Sequence, residues 1–522
     1  MEKPKQILIK DFSRGITTDS REDDFRYSQF IQGFEAHTYP HKLVPVKSTE
    51  SGDSSASTSK KENFCLAELT AGVYKLYALG VVSGQIYAEI LYKAFTTSNS
   101  SDLSDATWLN TANNQSASGA INSNLFAYYK KATAGNTGLI FFSRNGSHIG
   151  AYDPTGSAAI ADTHYAVTHT HIGQGITHSK DDRFYVPYYD SATGTGGVLM
   201  KNSSSAFVVG IATAKYLIPI SVCEYGNYLA IACQPASGIG KSVVFLWDRD
   251  TSTALFSETI DFGDGILQIL EQISGYLVGI SYTGVAPGNL SSLLGRFTFR
   301  YYAGGTPVIF RELLSEATFT AGDLPLAKQK ISQSLYFLMT VTLGGTKRQG
   351  VWRISRAGEN TPFSLVMETP ANNGTALTSG LLKGFFKVGD YMFLAYTDNS
   401  VYKVDKTDDS GSAYTAMSST YETLKFGDAF QNKKLVVVGV MTEPLPSAGE
   451  VILKYKKDED SSWTTIFDNT TNDNMYRESV NIESTGVTLP EFKEIQFQIL
   501  STGNAVITGL YAKYEIIDNQ LT

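Results

Sequence analysis

The chain has 522 residues, 42% hydrophobic and 12% aromatic, with a net charge of −8 and no basic block. That length supports a large core, and the acidic balance argues against sequence-specific nucleic-acid binding, because phosphate neutralisation needs clustered Lys and Arg. No apolar run reaches the roughly 18 residues of a membrane-spanning helix, which argues against membrane insertion, and Met1-Glu-Lys-Pro-Lys-Gln does not begin a signal peptide.

Charged residues make up 18% of the chain, below the roughly 25% of ordinary soluble domains. Ser, Thr, Asn and 46 Gly fill the gaps between short apolar runs, which is an all-β composition rich in turns. Cys65, Cys223 and Cys233 are odd in number and lack metal spacing, so they read as small buried hydrophobes of a protein made in a reducing compartment.

Residues 1–61 read as an N-terminal arm and loop. Ile7 to Phe12 suits a strand, and Tyr27 to His37 is ambiguous between a short helix and an extended arm. His41 to Val46 suits an edge strand because Pro45 is tolerated there, and 49–61 is a polar loop.

A weak repeat follows over 62–418. Apolar, aromatic-rich runs begin near Tyr74, Gly138, Phe184, Tyr228, Tyr276, Tyr336 and Tyr391, at intervals of 44 to 64 residues. Each is followed by a second run, as in Tyr228 to Cys233 and then Ser242 to Trp247. These runs lack polar/apolar alternation, so both faces are expected to be buried, as in the blades of a propeller. Seven ordered strand pairs predict about seven blades, with the longer intervals carrying loop insertions. Asp264 to Ser274 is the best short helical candidate and is expected to be strand or loop.

From about 421 the pattern changes to strict alternation. Ile495, Phe497 and Ile499 share one face of a strand; so do Leu510, Ala512, Tyr514 and Ile516, and Val451, Leu453 and Tyr455. Alternation implies one buried and one wet face, so 421–522 is expected to be an antiparallel β-sandwich of about six strands. The predicted fold class is all-β: a propeller of about seven blades followed by a C-terminal sandwich.

Candidate chemistry is sparse. Gly238-Ile-Gly-Lys-Ser242 resembles the end of a phosphate-binding loop, but Pro235 stands where the first Gly belongs and Ser242 opens a strand, so a hairpin turn is expected. Four of the seven histidines lie at His164, His169, His171 and His178. His169 and His171 would share a face on a strand and are the candidate metal ligands, although no Cys or carboxylate completes the set. The expectation is therefore no metal in the monomer. Asp405, Asp408 and Asp409 miss calcium-loop spacing. Ser104 to Trp108 and Asp460 to Thr464 resemble Asp-box turns of sialidases but lack the Gly. With no assignable carboxylate pair and no nucleophile elbow, the sequence predicts no catalytic residues, no cofactor and a protein that is not an enzyme.

Asp11-Phe-Ser-Arg-Gly-Ile-Thr-Thr-Asp19 and Phe34-Glu-Ala-His-Thr-Tyr-Pro-His-Lys-Leu-Val-Pro45 resemble the opening of tailed-bacteriophage virion proteins that carry a β-propeller and a C-terminal β-sandwich. Leu489 to Ile499 and Ile507 to Tyr514 are similar to the ending of such proteins. The resemblance implies a structural tail or neck protein made in host cytoplasm and present in several copies, as a ring, nozzle or tail-tip element. Its partners would be copies of itself and other virion tail or neck proteins, with host surface glycan as a further candidate. Residues 1–50 would then dock as an arm, dispensable for folding of the sandwich. The alternative reading is a carbohydrate-binding or glycan-cleaving propeller acting on a host surface.

Overall fold

A computed structural model describes residues 5–18, 24, 26–52, 60–81, 87–96, 109–110, 115–116, 121–130, 138–144, 148–155, 161–201, 206–237, 240–253, 255–283, 294–318, 327–358, 361–377, 379–389, 391–408, 417–428, 430–469, 480–484 and 486–517. Among them the regular elements are β-strands, apart from one 3-10 turn at Ala371–Gly374. The chain is all-β, as its composition implies. Asp264 to Ser274 forms the strand Ile266–Ile273, and Tyr27–Gln32 is a strand as well.

The chain divides into two compact units. One, the terminal unit, comprises Met1–Thr49, Gly350–Thr375 and Thr407–Thr522; the other, the repeat unit, comprises Glu50–Gln349 and Ala376–Lys406. These bounds differ from the arm, propeller and sandwich read from sequence at 1–61, 62–418 and 421–522. The difference is physical: strand pairing joins segments far apart in the chain, which local pattern does not reveal.

In the repeat unit, antiparallel sheets follow one another along the chain. The first contains Lys61–Thr70, Val73–Val81 and Tyr87–Thr96, with short strands beside the last. The second runs Ile121–Tyr129, Leu139–Arg144, His148–Tyr152 and Ala161–Ala166. The third begins with the broken strand His171–Ile172 and Ile176–His178, then Arg183–Asp190, Thr195–Lys201 and Val208–Ala212. The fourth is Leu217–Tyr225, Tyr228–Pro235, Lys241–Trp247 and Glu258–Asp264. The fifth is Ile266–Ile273, Tyr276–Thr283, Leu294–Tyr302 and Val308–Thr318. A sixth starts with Lys328–Ile331 and Ser334–Leu343, and Thr346–Ser355 carries the chain over the unit boundary. The seventh is Leu382–Val388, Tyr391–Asp398 and Val401–Asp408, completed by Glu50–Ser51 from far upstream, with Asp405 opposite Ser51 and Lys406 opposite Glu50. Residues 50–51, read from sequence as loop, are thus the fourth strand of this sheet.

The seven strand pairs anticipated from sequence are the second and third strands of these seven sheets. They were legible because both faces are apolar. In Tyr228–Pro235, Ala230 and Ala232 pack toward the fifth sheet, while Leu229, Ile231 and Cys233 pack toward the third. Such a buried Leu or Ile side chain stabilises the fold by about 1.5–3 kcal/mol relative to exposure. Equivalent apolar layers separate the first sheet from the second and the second from the third. Phe64, Leu76 and Ala78 of the first sheet pack on Tyr391, Phe393 and Ala395 of the seventh. Tight turns connect the strands: Ser274 and Gly275 both take positive φ, 50° and 82°, as a two-residue hairpin requires.

Among the described residues, the terminal unit contains two large sheets and the short pair Phe34–Glu35 with Val44–Pro45. One orders Lys5–Ile9, Ile507–Ile516, Lys433–Thr442 and Val480–Glu483. The other includes Ser364–Pro370, Tyr27–Gln32, Ser419–Thr423, Glu494–Thr502, Glu450–Lys457 and Thr464–Asn469 in that order. Residues 5–49 are therefore woven into this unit rather than docked on it as an arm. Phe12, Ile16, Phe34 and Leu43 are fully buried, and Phe12 meets Tyr421 edge-on with ring centroids 5.2 Å apart. Gly15, at φ 70°, lies where a Cβ would approach the Leu365 backbone to 2.6 Å, so a side chain is excluded there. Glu35 accepts the N–H groups of His37 and Thr38 at 2.8 and 2.7 Å and pairs with Arg353, which also pairs with Glu368 at 3.0 Å.

Ile495, Phe497 and Ile499 face the core as the alternation implied. The intervening face of that strand is not wet, however. Gln496 and Gln498 are buried, and their amides donate to Thr423 O and Glu422 Oε1, both at 2.8 Å. Polar residues alternate there because they satisfy a neighbouring strand.

Candidate functional site

The first strands of several sheets in the repeat unit are irregular. Four of these strands are broken by a β-bulge near their start, where register shifts between Lys61 and Asn63, Pro219 and Ser221, Leu267 and Ile269, and Leu382 and Gly384. A bulge re-aims the extra residue. Here those residues are Glu62, Ile220, Gln268 and Lys383, and three of them line cavities. The third sheet reaches the same effect by breaking its first strand at Gly173 to Gly175, which releases Gln174.

Two cavities result. The larger, ≈ 250 Å³, is lined by Asn63 to Leu66, Phe126 to Tyr128, Gln174, Ala327 to Gln329, Lys383, Phe385 and Phe386. The smaller, ≈ 20 Å³, is lined by His171, Gly173, Gln174, Ile220, Ser221, Gln268, Ile269 and Lys328. Together they are bordered by first strands from all seven sheets and share Gln174 and Lys328.

Polar groups around these cavities are held by paired hydrogen bonds to the neighbouring strand. Gln174 accepts from Phe126 N at 3.4 Å and donates to Phe126 O at 3.1 Å. Gln329 does the same with Lys387, at 2.8 and 2.7 Å. Ser221 bridges both backbone groups of Leu270, at 3.4 and 3.5 Å. Each clamp fixes one sheet against the next and also fixes the side chain that makes it.

The charges are paired as well. Lys328 Nζ donates to Val222 O and Glu271 Oε2, both at 3.0 Å, and to Leu270 O. Lys383 lies 3.3 Å from Glu62, which also accepts the Tyr402 hydroxyl at 2.8 Å. No Asp or Glu is among the described residues lining either cavity.

The four clustered histidines occupy separate surroundings. His164 Nε2 sits 3.4 Å from Lys201 Nζ, and burial lowers the pKa of both. His169 lies in the connector before the third sheet, buried, with Nδ1 2.8 Å from Val167 O. Of the 169/171 pair, His171 alone is on a strand. Its buried Nε2 has no hydrogen-bond partner among the described residues, and burial followed by His169 depresses its pKa to about 4. His178 is buried beside Arg249, whose Nη1 is 2.6 Å away, and Arg249 pairs with Asp181 at 2.9 Å. Among the described residues, no group of three or more His, Cys, Asp or Glu is arranged to hold a metal.

Other sequence candidates disperse similarly. Lys241 opens a strand after a hairpin, and Asp405 is buried, accepting the Tyr396 hydroxyl at 2.9 Å. Asp409, Gly238, Ile239 and the turn at 104–108 lie outside the described residues. Trp463 lies under the Lys456 ammonium, 4.7 Å from the ring centroid. All three cysteines are free and buried. Sequence reasoning missed Gln174, Gln268, Lys328, Gln329 and Lys383. They come from four sheets, and their convergence leaves no local mark in the hydrophobic pattern.

No family model and no curated protein matches this chain. Solved structures to which the chain shows a likeness include an exo-β-1,3-galactanase from Phanerochaete chrysosporium, at 8% identity and TM-score 0.33, covering 90% of this chain and 99% of that one. A Trypanosoma rangeli sialidase is 10% identical at TM-score 0.34, covering 97% and 95%. BBS1N, in complex with ARL6DN, is 12% identical at TM-score 0.38, covering 71% and 98%. At these values the likeness assigns no activity. The expectation of a non-enzyme does not stand. The sequence argument rested on missing local motifs, but carboxylates that act as a pair across a bond can come from distant strands and leave none.

Proposed function

We propose that this chain is a seven-bladed propeller with a C-terminal sandwich, and that it engages a glycan through the channel between its blades. Seven successive sheets support the blade count, as does the layer of Phe64, Leu76 and Ala78 against Tyr391, Phe393 and Ala395 that links the last sheet to the first. The pairing of Glu50–Ser51 with Val401–Asp408 is how an upstream strand would lock such a ring.

The observation that carries the glycan reading is the lining of the ≈ 250 Å³ cavity: Gln174, Gln329 and Asn63 together with the half-buried aromatic residues Tyr128 and Phe386. Amides match hydroxyl groups, which both donate and accept, and aromatic faces match the C–H faces of a sugar ring. A glycan array on the purified chain tests this. Binding to a defined set of terminal sugars is expected; a folded protein that binds none overturns the reading. Sugar release from the bound glycans would make the same site hydrolytic.

A second reading places the chain in a bacteriophage tail, as a structural component in symmetric copies beside other tail or neck proteins. What supports it is the burial of the residues that carry the N-terminal resemblance. Phe12, Ile16, Phe34 and Leu43 are core, and Leu43 pairs with Ile507 of the C-terminal stretch. The resemblance therefore concerns architecture rather than a single loop. The two readings are compatible, because a tail component can reach a host surface sugar. Protein identification on purified particles tests the second; particles without this chain would end it.

A further inference from the structure

We infer that the channel site takes an uncharged terminal sugar, and discriminates against uronate, sulfated or sialylated ends. This rests on the glycan reading above and names the ligand class within it.

Two lysines face the larger cavity, which at first sight invites an anion. Neither has charge to spare. An ammonium has three protons, and those of Lys328 go to Val222 O, Leu270 O and Glu271. Lys383 is neutralised by Glu62, which the Tyr402 hydroxyl holds in place. An anionic ligand would have to displace a carboxylate already in contact, or sit desolvated without a counter-charge, which is costly. His171, which lines the smaller cavity, is held neutral by burial at ordinary pH.

The amides behave differently. Gln174 spends one of its two N–H groups and one carbonyl lone pair on Phe126, and Gln329 spends the same on Lys387. Among the described residues each retains one donor and one acceptor. The clamps also fix the amides' orientation, so binding orders little that is mobile. The cavity, ≈ 250 Å³, falls below the roughly 300–1,000 Å³ of sites for drug-sized ligands. It suits one ring presented end-on rather than a chain laid across it.

The test compares neutral and acidic termini on one array, then titrates the strongest neutral and the strongest acidic oligosaccharide at ionic strengths of about 0.05 and about 0.5 M. Neutral termini should bind, with dissociation constants changing by less than about twofold between the salts. Glu62→Gln, which keeps the Tyr402 contact and releases the Lys383 charge, should gain salt-sensitive binding of acidic termini. Wild-type preference for acidic termini, weakened by salt, overturns this inference while leaving the glycan reading intact. Binding of neither class overturns the glycan reading itself. Since Glu62→Gln could fail to fold, the salt series on the wild-type chain decides alone.

Discussion

Leu43 and Ile507 exchange backbone hydrogen bonds. Leu43 N donates to Ile507 O at 2.8 Å, and Ile507 N returns a bond to Leu43 O at 3.1 Å. The same strand, Ile507–Ile516, pairs over Leu510 to Tyr514 with Lys5–Ile9. N- and C-terminal segments are thus one cooperative structure.

Deletion of residues 1–49 should therefore unfold the terminal unit, which replaces the expectation that the C-terminal part survives it. The deletion removes Tyr27–Gln32 from between Ser364–Pro370 and Ser419–Thr423 and uncovers a row of core aromatics. Limited proteolysis should degrade 407–522 in the truncated chain. A stable fragment of that region with a cooperative melting transition would contradict the assignment.

Trp247 is fully buried, donates its indole N–H to Asp250 O at 3.1 Å, and meets Tyr185 edge-on at 5.9 Å. Trp247→Ala should destabilise the chain by about 3–5 kcal/mol through lost burial and a cavity. Denaturant unfolding measures this; a loss under about 1 kcal/mol would mean that the third and fourth sheets do not pack as described.

Gln174→Leu removes both bonds to Phe126 and leaves its backbone N–H and C=O without these partners. The expected cost is about 1–3 kcal/mol. The same variant should weaken glycan binding, whereas Ser221→Ala, which breaks a clamp bordering only the smaller cavity, should lower stability with little change in binding. Equal binding losses in the two variants would show that rigidity, not the amide, supplies recognition.

Acid should destabilise both units. Burial, then the Arg353 charge, lowers the His37 pKa from 6.5 to about 4, and burial lowers that of His171 to about 4. The folded-state values lie below the unfolded one, so between them the unfolded chain takes up protons that the folded chain refuses. Stability is full above about pH 6.5 and is lost as pH falls toward about 4, on the order of 3 kcal/mol for each histidine. His171→Asn should flatten that slope in the repeat unit. Unfolding free energies that stay level from about pH 7 to about 4.5 would contradict the neutral, buried state of both rings.

What was legible in the sequence follows from these forces. The second and third strands of each sheet declare themselves, since runs such as Leu229 to Cys233 are apolar on both faces. The first strands do not, because bulges at Glu62, Ile220, Gln268 and Lys383 break their pattern, with Gln268 and Lys383 turned to the cavities. Gln496 and Gln498 read as solvent-facing because alternation cannot distinguish water from a neighbouring strand's carbonyl. The role of residues 5–49 was hidden because pairing such as Leu43 with Ile507 is non-local. The cavity lining was least visible, since Gln174 and Gln329 gain meaning only where separate sheets converge.

The most direct measurement is an experimental density map of the chain with its strongest array-selected neutral sugar bound. The account predicts one sugar ring in the channel, within hydrogen-bond distance of the spare amide groups of Gln174 and Gln329 and against the Tyr128 or Phe386 ring. A sugar bound at any other place, with that cavity holding only solvent, would contradict it.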